Sequence, residues 1–429
     1  MLSFLRKKTK SNKKAIVIGL DGVPYTLLME YIKRGIMPAF ASLLEKGQLI
    51  QMKSTVPEVS SVAWSSFMTG KNPGEHGIFG FMGINPESYE YTFPNFNALK
   101  IRPLWERQDI RTVALNIPQT YPARDINGVM VSGFVALDLK KAVTPASVYD
   151  YLKGIDYKLD VNAAAAKDNP QLFFTELFNT FEKRITAIKH LYHNEDWQLF
   201  IGTITETDRL HHYFYNNAYG GEYYEIFTDF YVKLDTFIGE MAEMAISNGT
   251  LFATMSDHGF TDIKSEVYIN RWLIEEGYLS LDFVDGGLKG INERTKAFCL
   301  DPSRIYLHLK DRYKKGTIDS AETETLRNEL KAKAYLINFN GSKVIERVFL
   351  KEEIFKGPYA NEGPELYLLP KYGFDLKGQV NKKDVFGTSP LKGMHTYDDA
   401  HFYCTTPIDM GNEDFSIVEV IEVIRASMG

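Results

Sequence analysis

Three aspartates and three histidines stand where the chain could bring them to bear on a single ligand. Asp21 closes the continuous apolar run Ala15 to Leu20 (AIVIGL) and precedes Gly22. Asp208 and His212 lie four residues apart, so on a helical turn they share one face and can grip one ion. Asp257 and His258 are adjacent at the end of a second apolar run, Thr250 to Met255 (TLFATM). Neighbours within a strand point to opposite faces, so this pair can serve one ion only where the strand ends, and Gly259 marks that exit. His395 follows Gly393, late in the chain. Singly, each is commonplace: an Asp after a strand is an ordinary turn residue, and D-x-x-x-H is an ordinary helix-surface pair. The set, its order and its placement at strand ends point to a cation site.

A candidate nucleophile lies in the stretch from Ser54 to Phe81, STVPEVSSVAWSSFMTGKNPGEHGIFGF. Ser60 and Ser61 stand just ahead of the helical run Val62 to Met68, where free backbone N–H groups point outward and can hold an oxyanion such as phosphate. The same hydroxyls could equally cap the helix.

These residues need a scaffold that gathers them, and the pattern supplies one. Strand-like runs at Ala15 to Leu20, Leu49 to Lys53, Thr112 to Ile117, Val129 to Val135, Gln198 to Ile204 and Thr250 to Met255 alternate with helical segments. The longest of those helices are Asn169 to Tyr192 and Glu222 to Ser247. Polar residues collect just past the strand ends. That is the signature of an α/β fold, a doubly wound and mostly parallel sheet with helices on both faces and its site at the carboxyl edge. Beyond Phe260 the alternation breaks. Arg304 to Leu309 (RIYLHL) reads as a half-exposed strand and Ala321 to Ala334 as a polar helix. The expected organisation is a catalytic core over 15–264 and 386–429, with an inserted cap over 265–385.

Composition narrows the class. The chain has 429 residues, 44% hydrophobic and 24% charged, as expected for a soluble globular protein. A net charge of -6 gives no reason to expect a nucleic-acid polymer as partner. Two cysteines, Cys299 and Cys404, cannot build a disulfide framework, which fits a reducing, cytoplasmic setting. Residues 1–14 form a basic lead-in, expected to be disordered, with weak contact to an anionic membrane surface as its alternative role. No apolar run approaches the roughly 20 residues of a membrane span.

In order, Asp21-Gly22, Ser60 ahead of Thr69-Gly70, Pro73…His76-Gly77-Ile78, Asp208-x-x-x-His212, Ser256-Asp257-His258-Gly259 and a late Gly-x-His395 resemble the alkaline phosphatase superfamily. The chain looks most like its type I phosphodiesterase/nucleotide pyrophosphatase branch. The resemblance covers most of 15–260, returns at about 390–425, and is weak in the cap. It implies an alkaline phosphatase-like fold and two divalent ions, usually zinc. Asp208, His212 and His395 would hold one ion; Asp21, Asp257, His258 and the Ser60 hydroxyl would hold the other. Mixed oxygen and nitrogen ligands accept manganese or iron as well. The resemblance also implies a metal-dependent phosphoric ester hydrolase, a phosphodiesterase acting on a small phosphate ester, in which Ser60 forms a phosphoseryl intermediate. Ser61 is its rival as nucleophile; with Ser60 in that role the helix cap falls to Ser61 or Thr55, and His76 reads as a buttress of the turn. A phosphomonoesterase or phosphomutase of the same superfamily is the alternative enzyme; a non-catalytic metal- or phosphate-binding protein is the alternative of another class.

The chain departs from the branch in two places. Ser60, preceded by Val59, stands where nucleotide pyrophosphatases commonly have Lys-Thr. Phe79-Gly80-Phe81 stands where they carry an Asn that helps hold phosphate oxygens. Arg209 and Lys71 are the cations that could substitute, although such side chains ordinarily stay at the surface. The sulfatase signature, Cys or Ser followed by x-Pro-x-Arg, is absent after Ser60. An aromatic run from Tyr213 to Tyr231 could line a leaving-group pocket or pack in the core.

Overall fold

The computed structural model describes residues 13–107, 109–163, 166–408 and 415–429. Most of the basic lead-in, residues 1–12, lies outside them. Eight strands form the main sheet, in the order Gln48–Met52, Ala400–Cys404, Leu251–Met255, Ala15–Leu20, Leu199–Ile204, Thr112–Ile117, Gly128–Ser132 and Val143–Thr144. The five strands from Leu251–Met255 to Gly128–Ser132 pair in parallel. Antiparallel strands close both sides, Ala400–Cys404 on one and Val143–Thr144 on the other. The three central strands are buried along their whole length, which is why they read as unbroken apolar runs. One apolar cluster covers one face of the sheet, built with the long helices Pro170–Asn194 and Tyr224–Ser247. A second cluster, with helices Ser60–Thr69 and Ile417–Met428, covers the other. The doubly wound expectation holds.

Between the strand Ser265–Tyr268 and Phe386–Gly387 the chain builds a third apolar cluster around a four-stranded antiparallel sheet. This part is not made from the insertion alone. The hairpin Gly83–Ile84/Tyr91–Thr92, from the first quarter of the chain, packs into it, and Tyr89 reaches His308 Nε2 at 2.7 Å. The strand expected to be half-exposed, Arg304–Leu307, is buried throughout. Its arginine is accommodated because the guanidinium donates to the backbone carbonyls of Asp301 and Met82. Cys299 and Cys404 are both free and buried. Among the described residues no helix is long and apolar enough to cross a membrane.

Candidate functional site

The register of the central strands brings the predicted ligands to one level. Leu20 pairs with Ile204 and Gly19 with Met255, so the three strands end side by side. Asp21 follows the first, Asp257 and His258 follow the third, and the second runs straight into the helix Glu206–Phe214 that carries Asp208 and His212. After Asp21 the chain must turn at once, and Gly22 does so at φ +68°. A Cβ there would also lie 2.5 Å from the Phe260 ring. The Gly22 amide donates to Asp257 Oδ1 at 3.0 Å, tying two exits together. His395 arrives on the strand Gly393–Thr396, which pairs antiparallel with Gly259–Asp262, opposite Phe260.

The six side chains form one cluster, and two of them, Asp21 and His258, reach Ser60. The Ser60 hydroxyl lies 3.4 Å from Asp21 Oδ1 and 3.2 Å from His258 Nε2. His258 Nε2 is 3.3 Å from Asp257 Oδ2. Asp208 Oδ1 is 3.3 Å from His212 Nε2 and 3.4 Å from His395 Nε2. Ligand atoms of Asp208, His212 and His395 form one group within 4.8 Å, and those of Asp21, Asp208 and His258 a second. Asp208 therefore stands between the two.

The donor set fits cations. Each histidine gives its Nδ1–H to a main-chain carbonyl: His212 to Gly393 at 3.1 Å, His395 to Glu58 at 3.0 Å and His258 to Gly259 at 3.1 Å. A carbonyl only accepts, so the proton sits on Nδ1 and each Nε2 turns a lone pair inward. Nε2 of His212 and Nε2 of His395 face each other across 3.1 Å, an arrangement that needs a proton or a metal cation between the two lone pairs. Asp208 Oδ1 and Asp257 Oδ2 are buried and accept no hydrogen bond. Buried carboxylates this close need positive charge. Burial pushes the Asp21 carboxyl far above its usual range, with repulsion from Asp257 and Asp208 adding to it. Burial likewise lifts Asp257, to about 6. Burial also works against ionised Asp208; His212 and His395, when they carry a proton on Nε2, outweigh it together with Arg209 and hold that carboxyl low. Burial drives His258 well below the ordinary imidazole value.

The helix Ser60–Thr69 begins at the candidate nucleophile itself. Its N-cap, Val59, offers no side-chain cap. The expectation that Ser61 or Thr55 caps this helix is incorrect: Ser61 Oγ is buried without a partner, and Thr55 donates to the Pro57 carbonyl. A capping oxygen would occupy the first amides, which stay available to an anion. His76 lies apart from the six ligands. It accepts from the Ile78 amide at 3.1 Å and meets Ser66 Oγ at 2.9 Å, as a turn buttress does.

Arg209 does not behave as a surface charge or as a spare oxyanion donor. Its side chain is 15% exposed and gives Nη1 to Asp208 Oδ2 at 3.0 Å. The rest of the guanidinium forks onto Asp160, at 2.7 to 3.2 Å, and lies over the Phe134 ring. Lys71 pairs with Glu75 on the surface. The aromatic run packs inward, with Phe214, Phe227, Phe230 and Tyr231 in the core.

Two cavities open beside His395. One, of about 300 Å³, is walled by Glu58, Phe81, Asp301, Asp375, Lys377 and His212. The other, of about 370 Å³, reaches Glu346, Lys371 and Tyr372; the two share Glu58, Pro370, Met394 and His395. Sequence reasoning missed Glu58, although it lies two residues before Ser60. Its carboxylate accepts from Tyr367 at 2.7 Å, across 309 residues of chain. No local pattern announces such a partner.

Comparison with known proteins agrees with this geometry. The family model described as type I phosphodiesterase/nucleotide pyrophosphatase matches residues 15–398. A yeast protein (Saccharomyces cerevisiae), ectonucleotide pyrophosphatase/phosphodiesterase 1, is 23% identical over 410 residues. That match takes in 86% of this chain, which spans about half, 52%, of the yeast protein. Phosphonoacetate hydrolase from Sinorhizobium meliloti, solved with phosphonoformate, superimposes with a TM-score of 0.66 at 17% identity, covering 98% of this chain and 97% of that one. Murine ectonucleotide pyrophosphatase/phosphodiesterase 5, solved with AMP, gives a TM-score of 0.55 at 14% identity, covering 97% and 95%. At these identities the two structures speak for the fold.

Proposed function

Because the chain belongs to the type I phosphodiesterase/nucleotide pyrophosphatase family, we propose that it is a metal-dependent phosphodiesterase that works through a phosphoseryl intermediate on Ser60. The observation that carries the reading is the clustering of six candidate ligands, two of them within reach of that hydroxyl, with Nε2 of His212 and of His395 turned on each other. Asp208, His212 and His395 would hold one cation, and Asp21, Asp257, His258 and Ser60 Oγ the other. Zinc is the proposed ion; manganese and iron suit the same donors. When bound, such cations act as Lewis acids, favouring an ionised hydroxyl and the charge on a transferring phosphoryl group.

The chain's own groups do the rest. Asp21 Oδ1, 3.4 Å away, orients the Ser60 hydroxyl. Ser60 Oγ attacks phosphorus as the bond to the leaving alcohol breaks, and water then cleaves the phosphoserine. The uncapped helix start offers amides to the phosphoryl oxygens, in place of the Asn for which this chain has Phe79-Gly80-Phe81. The cavities beside His395 give an ester arm room that a bare phosphate does not need. Ser60→Ala is expected to cut hydrolysis of bis(p-nitrophenyl) phosphate by at least about 1000-fold while the bound metal, read by elemental analysis, stays in place. Undiminished hydrolysis refutes the assignment. Faster turnover of p-nitrophenyl phosphate than of the diester would make it a monoesterase.

A further inference from the structure

The cavity of about 300 Å³ beside His212 and His395 has a wall whose chemistry can be read. Asp375 and Lys377 lie two apart on the strand Phe374–Lys377, so both face one side, and they pair at 2.7 Å. Asp375 is 9% exposed and Glu58 5% exposed. Each carboxylate is pinned through one oxygen: Asp375 Oδ2 by Lys377, Asp301 Oδ1 by the Gly378 amide, and Glu58 Oε2 by Tyr367. Asp375 Oδ1 and Asp301 Oδ2 have no protein partner among the described residues, and both residues line the cavity. Besides the imidazoles of His212 and His395, the aromatic ring in that lining is Phe81, which already packs edge-on against Phe134.

On the reading given above, we infer that this cavity takes the leaving arm of the ester and selects an uncharged polyhydroxylated alcohol of the glycerol or cyclitol type. Three carboxylates repel a leaving arm that carries a carboxylate or a second phosphate. Lys377 is already paired with Asp375, and one phenyl ring gives neither the stacking pair for a base nor the cage that a quaternary ammonium needs. Hydroxyls satisfy both kinds of wall group, donating to the carboxylates and accepting from the ammonium. The volume lies at the small end of the roughly 300–1,000 Å³ usual for ligand pockets, which suits a small alcohol.

The test is a set of methyl phosphodiesters that differ in the other arm: glyceryl, myo-inositol, choline, 2-carboxyethyl and adenosine. They are followed by phosphorus NMR with the metal-loaded, full-length protein, beside bis(p-nitrophenyl) phosphate. The glyceryl or inositol ester is expected to exceed the choline, carboxyethyl and adenosine esters in kcat/KM by about tenfold or more, the scale of one hydrogen bond to a charged group. In Asp375→Asn and in Lys377→Met that preference is expected to shrink at least about threefold. A preference for the choline, carboxyethyl or adenosine arm, or no preference with the p-nitrophenyl diester cleaved, overturns this inference alone. No cleavage of any diester overturns the phosphodiesterase reading and takes this inference with it.

Discussion

Replacing Arg209 by lysine tests how the Asp208 ligand is aimed. Arg209 holds Asp208 Oδ2 at 3.0 Å, which leaves Oδ1 turned towards His212 and His395. The same guanidinium is forked onto Asp160, so its own position is fixed. Lysine keeps the charge but brings one ammonium on a flexible stem, and it cannot span both carboxylates. Methionine would be a poorer probe: losing the positive charge favours a bound cation while losing the orientation disfavours it. In Arg209→Lys only orientation changes. A hydrogen bond between charged groups is worth about 1.5–3 kcal/mol. At about 1.4 kcal/mol per decade, its loss weakens cation binding roughly ten- to a hundredfold, the range found for residues that support a metal ligand. The assay is competition for Zn²⁺ between the metal-free protein and a chromophoric chelator, with thermal unfolding as a check on the fold. A folded Arg209→Lys protein that binds within twofold of wild type would refute the reasoning.

Three further outcomes follow from the packing. Asp399 accepts from the backbone and hydroxyl of Thr26, and burial still lifts its pKa to about 6. Its folded value exceeds the unfolded one, so its contribution is present below about pH 4 and lost as pH rises through about 6. Between those limits wild type should lose about 2 kcal/mol relative to Asp399→Asn, read from urea midpoints, and parallel pH profiles would contradict this. Gly80→Ala should destabilise by about 1–3 kcal/mol in thermal unfolding, because its Cβ would sit 2.5 Å from the buried Arg304 guanidinium; an unchanged midpoint would show that Arg304 yields freely. Arg184 and Glu206 form a fully buried pair at the start of the helix that carries Asp208 and His212. Arg184→Leu alone should cost about 3–5 kcal/mol and Arg184→Leu with Glu206→Leu markedly less, by denaturant titration; equal losses would argue against an uncompensated charge.

The sheet and the gathering of the six candidate ligands were legible because both are written locally. Buried parallel strands show as unbroken apolar runs, and their ends fall where Asp21 and Asp257-His258 stand. Asp208 and His212 are helical neighbours by spacing alone. Partners that come from afar were not legible. Arg209 looks like any exposed helix arginine until Asp160, 49 residues back, is seen to clamp it. Asp301, Asp375 and Lys377 carry no motif; only the tertiary fold brings them into one cavity wall. The hairpin Gly83–Ile84/Tyr91–Thr92 has two-residue strands, too short to register as a pattern. The buried Arg304 shows the same limit, since only its carbonyl acceptors make an interior position tolerable.

The three inward-facing imidazoles take their tautomer from peptide groups at Gly393, Glu58 and Gly259. Main-chain oxygens survive almost any side-chain replacement, so no substitution at those three positions removes the acceptor itself. The neighbouring chamber is different, because three of its charged wall groups, Asp301, Asp375 and Lys377, are side chains from a separate stretch of sequence. Divergence could therefore exchange the alcohol that is released while the reacting centre is inherited unchanged.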